Sequence, residues 1–372
     1  MSLYNLAEMS NRYGGNEEFV LGGGGNTSFK ENGVMYVKGS GAQLSNIQKE
    51  QFVSMDINKL LEMVKREYPK GMSDSEREEK SLAEMMAARL PGEEAKRPSI
   101  ESVLHAMFPY KFVLHVHPPL INGLTCGVNG KTACYELFGD KAVWIDLTKP
   151  GFVLAQKCSK VFTEYAEKTG SYPQLVLLQN HGIFIAADTV DEIDRLMESV
   201  VEKLKKHVSD VPCFDDTGYD KALADSISSK LSKLYSSEKD DSAVVIFCAN
   251  KQVSNYVSSK EAFRPVSKAF TPDHIVNCKD EPLFIEPDAS IEIEFVNYKT
   301  KKGFDPKIVA VMGLGFFAIS ENQKNAERAK ALFLDSIKIA IYAKSFGGEN
   351  HLSDEFADFI LNWEVEAYRS KA

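Results

Sequence analysis

"FVLHVHPPL", residues 112–120, carries two histidines one residue apart at the end of an apolar run, just before a Pro-Pro stop. The run reads as a buried strand. Side chains on a strand alternate faces, so His115 and His117 point the same way, about 6 to 7 Å apart along the chain. Two imidazoles so placed can converge on one ion. An open catalytic zinc site takes three protein ligands, with nitrogens at about 2.0 to 2.1 Å, and leaves a fourth position free. A third ligand is therefore required. His181 is the best candidate: it stands in "QLVLLQNHGIFIAAD" (174–188), two buried strands around Asn180-His181-Gly182, where the glycine permits a close approach. His207 and His351 lie in charged surroundings.

Immediately upstream, "PSIESVLHAMFP" (98–109) spaces Ile100, Val103, Leu104, Met107 and Phe108 as one apolar helix face that Pro109 ends. A helix over these residues, followed by a returning strand, brings Glu101 level with the histidine pair. There it serves as a displaceable ligand or a general base. The same geometry equally suits a solvated helix glutamate or an i, i+4 partner of His105.

Further upstream, "LGGGGNTSFKENGVMYVKGSG" (21–41) holds two strands, "SFK" and "VMYVK", around an Asn32-Gly33 hairpin turn, bracketed by glycines. Clustered glycines let backbone N–H groups face an anion. The loop lacks the Gly-Lys-Ser/Thr of a nucleotide-binding loop and leads to a strand, so a nucleotide is not indicated. "KGSG" (38–41) adds a cation and a hydroxyl, and Ser99 opens the helix of Glu101, where an anion is favoured. Taken separately, each reads more simply as a turn or a cap.

The composition limits the rest. A chain of 372 residues, 44% hydrophobic and 26% charged, accommodates two domains. A formal net charge of −9 argues against nucleic acid or an anionic membrane as partner and leaves a small anionic substrate. Six dispersed cysteines without a C-x-x-C pair suggest neither a disulfide framework nor a thiolate zinc knot. With no signal-like start and no apolar stretch of about 20 residues, the expected location is the cytoplasm. Residues 46–90 read as charged and helical, with "SDSEREEK" (73–80) a solvated surface. "SDVPCFDDTGYD" (209–220) is the expected boundary between domains at 1–212 and 213–372.

One internal match stands out. "QNHGIFIAADTVDEIDRLMESVVEKL" (179–204) and "MGLGFFAISENQKNAERAKALFLDSI" (312–337) share a glycine turn, an apolar strand and a long helix, with Gly182 against Gly315 and Arg195 against Arg328. It reads either as a degenerate repeat or as the common look of strand-turn-helix units. Leu314 stands where His181 does, so the second copy is expected to bind no metal.

"GGNTSFK", "VKGSG", "PSIESVLH", "HVHP" and "QNHG" together resemble the class II aldolase/adducin family, the zinc aldolases of fuculose and rhamnulose phosphates, over about residues 5–210. The whole chain, with "FTPDH" and "GLGFF", resembles the aldolase half of bifunctional rhamnulose-phosphate aldolase/dehydrogenases. The resemblance implies a three-layer α/β/α sandwich with a mostly antiparallel central sheet, a smaller C-terminal α/β domain and a homo-oligomer. It implies zinc or another divalent metal on His115, His117 and His181, and Glu101 as the catalytic carboxylate. Gly25, Asn26, Ser40, Gly41 and Ser99 fall at its phosphate-binding positions, and its acid tyrosine falls near Tyr135. Ile100 replaces a second serine of that phosphate site. The implied reaction is reversible cleavage of a ketose 1-phosphate to dihydroxyacetone phosphate and a short aldehyde. A sugar-phosphate 4-epimerase or dehydratase on the same fold is the alternative, and a non-catalytic adducin-like module, which lacks the histidines, is the second.

Overall fold

A computed structural model describes residues 2–69, 71–236 and 243–363. The chain forms two compact units, one built mainly from Met1–Thr125 and Asn129–His207, the other from Cys126–Val128 and Val208–Asn362. The short Cys126–Val128 stretch joins the second unit through backbone bonds from Val128 N to Gly348 O and from Asn350 N to Cys126 O. All six cysteines are free thiols.

The first unit contains seven strands: β1 (Asn26–Glu31), β2 (Val34–Lys38), β3 (Phe52–Asp56), β4 (Phe112–Val116), β5 (Ala142–Ile145), β6 (Leu175–Leu178) and β7 (Gly182–Ala187). They form one sheet in the order β3-β2-β1-β4-β7-β6-β5, antiparallel except for β5 beside β6. Its helices are α1 (Ser2–Gly14), α2 (Ile57–Val64), α3 (Asp74–Ala87), α4 (Ser102–Met107), α5 (Pro119–Thr125), α6 (Gly130–Phe138), α7 (Phe152–Thr169) and α8 (Val190–His207). One sheet face, carrying Val37, Val53, Val113, Val143, Val176 and Phe184, packs against α2, α3, α4 and α7. Helices α5 and α8 cover β7, and α1 lies on β1. The result is the expected three-layer sandwich.

Local chemistry explains these elements. At the β1–β2 hairpin, Asn32 and Gly33 have φ of 51° and 79°, the two positive values that a twisted two-residue turn demands. Strand β3 falls inside the stretch read as helical, because five backbone pairs to β2 override its charged flanks. The "SDSEREEK" run is not simply solvated. Glu78 and Ser81 are buried on α3, and Glu78 Oε2 accepts the Phe152 amide at 3.1 Å, satisfying a free N–H at the start of α7.

Lys30 is buried on β1 and donates its ammonium to the carbonyls of Phe108 (2.5 Å) and Tyr110 (3.2 Å), just past the C-terminus of α4. Burial pulls it from 10.5 down to about 7, against a weaker opposing pull from Asp188. Between those values the unfolded chain binds the extra proton, so stability rises with pH from about 7 upward. Urea unfolding at about pH 7 and 9 should show this slope, and Lys30→Met should flatten it.

The second unit has β8 (Val244–Cys248), β9 (Leu283–Ile285), β10 (Ile308–Val311) and β11 (Gly315–Ser320), in the order β8-β11-β10-β9. Its helices are α9 (Lys221–Ser236), α10 (Lys251–Tyr256), α11 (Lys260–Phe263), α12 (Pro272–Cys278), α13 (Ile291–Lys302), α14 (Gln323–Ala343) and α15 (Asp354–Asn362). Here the repeat reappears in the topology. The order β8-β11-β10-β9, antiparallel, antiparallel, then parallel, is that of β4-β7-β6-β5. The turns match as well, with His181 N to Leu178 O at 3.2 Å and Leu314 N to Val311 O at 3.1 Å. Pairing Val116 with Ile183 and Cys248 with Phe316 sets the correspondence. By it, Phe247, Ala249 and Leu314 occupy the places of His115, His117 and His181. Among the described residues, no helix is long and apolar enough to cross a membrane.

Candidate metal centre

Strand β4 is central in its sheet, between β1 and β7, and all five of its residues are buried. His115 faces the same side as Val113, and its ring stacks on Phe184 of β7 with centroids 4.0 Å apart. His117 follows the end of the strand, and His181 rises from the β6–β7 turn, where Asn180 takes a φ of 54°. The three histidines bring one nitrogen each to within 4.8 Å of the others.

The proton positions favour a cation. His115 Nδ1 lies 3.0 Å from the Ile183 carbonyl, so it carries the proton and its Nε2 presents a lone pair to the cluster. That Nε2 stands 2.9 Å from His117 Nε2 and 3.3 Å from Glu101 Oε1. Glu101 Oε1 is also 3.5 Å from His181 Nε2, and it is a buried oxygen with no well-formed hydrogen bond among the described residues. The His115 lone pair and the Glu101 carboxylate oxygen, facing each other at 3.3 Å in a largely buried place, favour a positive charge between them, a proton or a metal ion. Three imidazoles and one carboxylate suit a divalent cation such as zinc.

Burial disfavours the ionised form of Glu101, yet positive charge at the His115–His181 cluster and the Asn26 amide outweigh it and hold the carboxyl well below its usual range. Glu101 is not one turn into a helix. It is the residue before α4, because Ser99 N bonds Lys38 O (3.0 Å) and Ser102 N bonds Ser99 O (3.0 Å), forming a turn where the apolar spacing predicts helix. This turn leaves Ile100 against the apolar cluster, while the carboxylate meets the histidines.

The other expected site residues fare unevenly. Asn26 pairs directly with His115 in the β1–β4 register, which brings the glycine loop to the site. A side chain on Gly25, at a φ of 67°, would sit 2.8 Å from the His115 carbonyl, so this glycine is required by close packing. The Asn26 side chain is tied into the site on both its oxygen and one of its N–H groups. Its Nδ2 donates to Glu101 Oε2 at 2.6 Å, and its Oδ1 meets His105 Nε2. Ser99 does not open the helix; its hydroxyl accepts the Glu101 amide at 3.3 Å. Ser40 and Gly41 lie beside it, with Ser40 N bonded to Arg97 O at 2.7 Å and Gly39 bridged to Pro98. Tyr135 is exposed on α6. Sequence reasoning missed Ser28 and the anchoring of Asn26, although Asn26, Ser28 and Lys30 alternate as polar residues along a buried strand, a signal of an internal polar network.

Gly182 sets the spacing of the cluster. A Cβ there would lie 2.6 Å from both His117 Cδ2 and Val116 O. Gly182→Ala should therefore displace His117, cost about 1 to 3 kcal/mol of stability and weaken metal binding. Thermal unfolding and a zinc titration check this together.

Fold and cluster together define a three-layer α/β/α protein with a partly buried three-histidine centre suited to a divalent cation. The sequence pattern of the Class II Aldolase and Adducin N-terminal domain matches residues 5–208, and the chain belongs to that family. It is 25% identical over 411 aligned positions to the "Uncharacterized oxidoreductase YuxG" of Bacillus subtilis, a match that takes in 98% of this chain but only 57% of that protein's length. Among solved structures, the N-terminal class II aldolase domain of a conserved Thermoplasma acidophilum protein is 26% identical, covering 54% of this chain and 91% of that one with a TM-score of 0.46. An L-fuculose-1-phosphate aldolase from Thermus thermophilus is 15% identical, covering 55% and 94% with a TM-score of 0.35.

Proposed function

We propose that the protein is a divalent-metal-dependent aldolase, a carbon–carbon lyase that reversibly cleaves a ketose 1-phosphate to dihydroxyacetone phosphate and a short aldehyde. The observation that carries this reading is Glu101 Oε1, a buried carboxylate oxygen directed at three convergent imidazoles. Membership of the class II aldolase and adducin family supports the reaction class. His115, His117 and His181 would hold the ion. When bound, such an ion supplies Lewis acidity that favours charge build-up on the oxygens of a ketose. Glu101 Oε1 moves the proton: it removes one from the hydroxymethyl carbon of the three-carbon fragment in the synthetic direction and returns it after cleavage. The sheet and α4 exclude water from Glu101, which is 7% exposed, and so strengthen its electrostatic coupling to the histidines.

In this reading the substrate phosphate meets the turn of Ser40 and Gly41. Ser40 is half-buried and bonds through its amide to Arg97 O. Ser40→Ala should raise KM roughly tenfold, the worth of one hydrogen bond to a charged group, with kcat little changed. Inorganic phosphate should compete with substrate. Steady-state kinetics with fuculose and rhamnulose 1-phosphates test both, and unchanged KM with no competition would remove the phosphate from the proposal. The reading also includes a cytoplasmic location and a homo-oligomeric state, which sedimentation would show.

A further inference from the structure

Behind Glu101 lies a second, fully buried polar chain. Glu101 Oε2 accepts from Asn26 Nδ2 at 2.6 Å, Asn26 Oδ1 meets His105 Nε2, and His105 Nδ1 lies 2.7 Å from Ser28 Oγ. His105 and Ser28 are both wholly buried, and His105 sits one turn after Glu101 on α4, edge-on to Phe184 at 5.4 Å. The chain has one consistent set of proton positions. A carboxylate oxygen only accepts, so Asn26 must turn its NH2 to Glu101 and its carbonyl to His105. His105 Nε2 must then be the donor. Its Nδ1 is left as acceptor, and the Ser28 hydroxyl donates to it. Burial supports this by holding His105 well below its ordinary range and hence neutral.

We propose that His105 is a positioning residue: through Asn26 it fixes the carboxylate of Glu101 so that Oε2 is occupied and Oε1 alone is presented to the three-histidine centre. Without the His105 N–H, the Asn26 amide can turn over and set its carbonyl against Glu101 Oε2, which repels the carboxylate from its place. His105 touches neither substrate nor ion. The inference rests on Glu101 as the acid–base group of the proposed reaction.

Two kinds of measurement test it. Nitrogen NMR of histidine-labelled wild-type protein, metal-free and zinc-loaded, should show the His105 proton on Nε2 and none on Nδ1. A proton on Nδ1 overturns the proposal whatever the substrate proves to be. With substrate, His105→Leu should lower kcat by about 10²-fold, the cost of a misplacement near 1 Å, while KM and zinc content stay close to wild type. His105→Gln, whose amide can donate to Asn26, should recover most of that loss. Should the Leu variant fail to fold, Ser28→Ala removes the hydrogen bond that holds the His105 ring through Nδ1, with less disturbance, and should lower kcat in the same direction. Folded, zinc-loaded His105→Leu or Ser28→Ala protein with wild-type kcat overturns the proposal. Wild type that cleaves no ketose phosphate refutes the aldolase reading instead, and the tautomer, read without substrate, still decides the role of His105.

Discussion

Glu101→Gln protein is expected to keep its full complement of divalent metal and to lose about 10²- to 10⁴-fold in turnover. The amide copies the shape of the carboxylate, and its oxygen can still accept from Asn26 Nδ2 at the place of Oε2. What is lost is the ability of Oε1 to take and return a proton. The His115 ring keeps its supports, since its Nδ1 bond to Ile183 O and its stacking on Phe184 do not involve Glu101. Elemental analysis beside steady-state kinetics separates the two effects. Loss of metal in step with activity would recast Glu101 as an essential ligand; unchanged turnover would remove it from the chemistry.

The second large effect lies in the metal itself. His115→Ala/His117→Ala removes two of three nitrogens, leaving His181 and Glu101, and stoichiometric zinc should fall to background with all activity gone. His115 is wholly buried and stacked on Phe184, so this variant also loses packing in the sheet. A His115→Gln/His117→Gln pair fills more of the space and keeps the metal readout interpretable. Circular dichroism on both variants separates unfolding from metal loss. Zinc retained by either folded variant would contradict the three-histidine centre.

Much of this was legible because it is local. His115 and His117 share a face through the two-residue period of a strand, and a glycine after His181 marks a close approach, here to Val116 and His117. The hairpin at Asn32-Gly33 is likewise written in two adjacent residues. Features decided by distant partners were harder to read. Strand β3 exists through its pairing with β2, and the start of α4 is delayed by the bond of Ser99 to Lys38, although Ile100 fits the helical period. The glycine loop is the instructive case. Its composition suggests an anion cradle, and at Gly25 the structure shows a backbone pressed against His115, and at Asn26 a side chain tied to Glu101 and His105. Composition reveals that donors are present, not which way they face. Tyr135, near the strand in sequence, is exposed on α6. The repeat succeeded because its signal, a glycine turn between two apolar strands and a helix, is carried by contiguous residues in both copies.

The central claim is that Glu101 moves a proton at the hydroxymethyl carbon of a three-carbon ketose phosphate beside a three-histidine metal centre. This can be tested without knowing the aldehyde or the sugar. Zinc-loaded wild-type protein is incubated with dihydroxyacetone phosphate in deuterium oxide, and the hydroxymethyl signal is followed by proton NMR. The account predicts that one hydrogen is exchanged for deuterium at that carbon, with no exchange above background for the Glu101→Gln and His115→Ala/His117→Ala proteins. Zinc-loaded wild type that leaves every hydrogen in place, or a Glu101→Gln protein that exchanges at the wild-type rate, would contradict it.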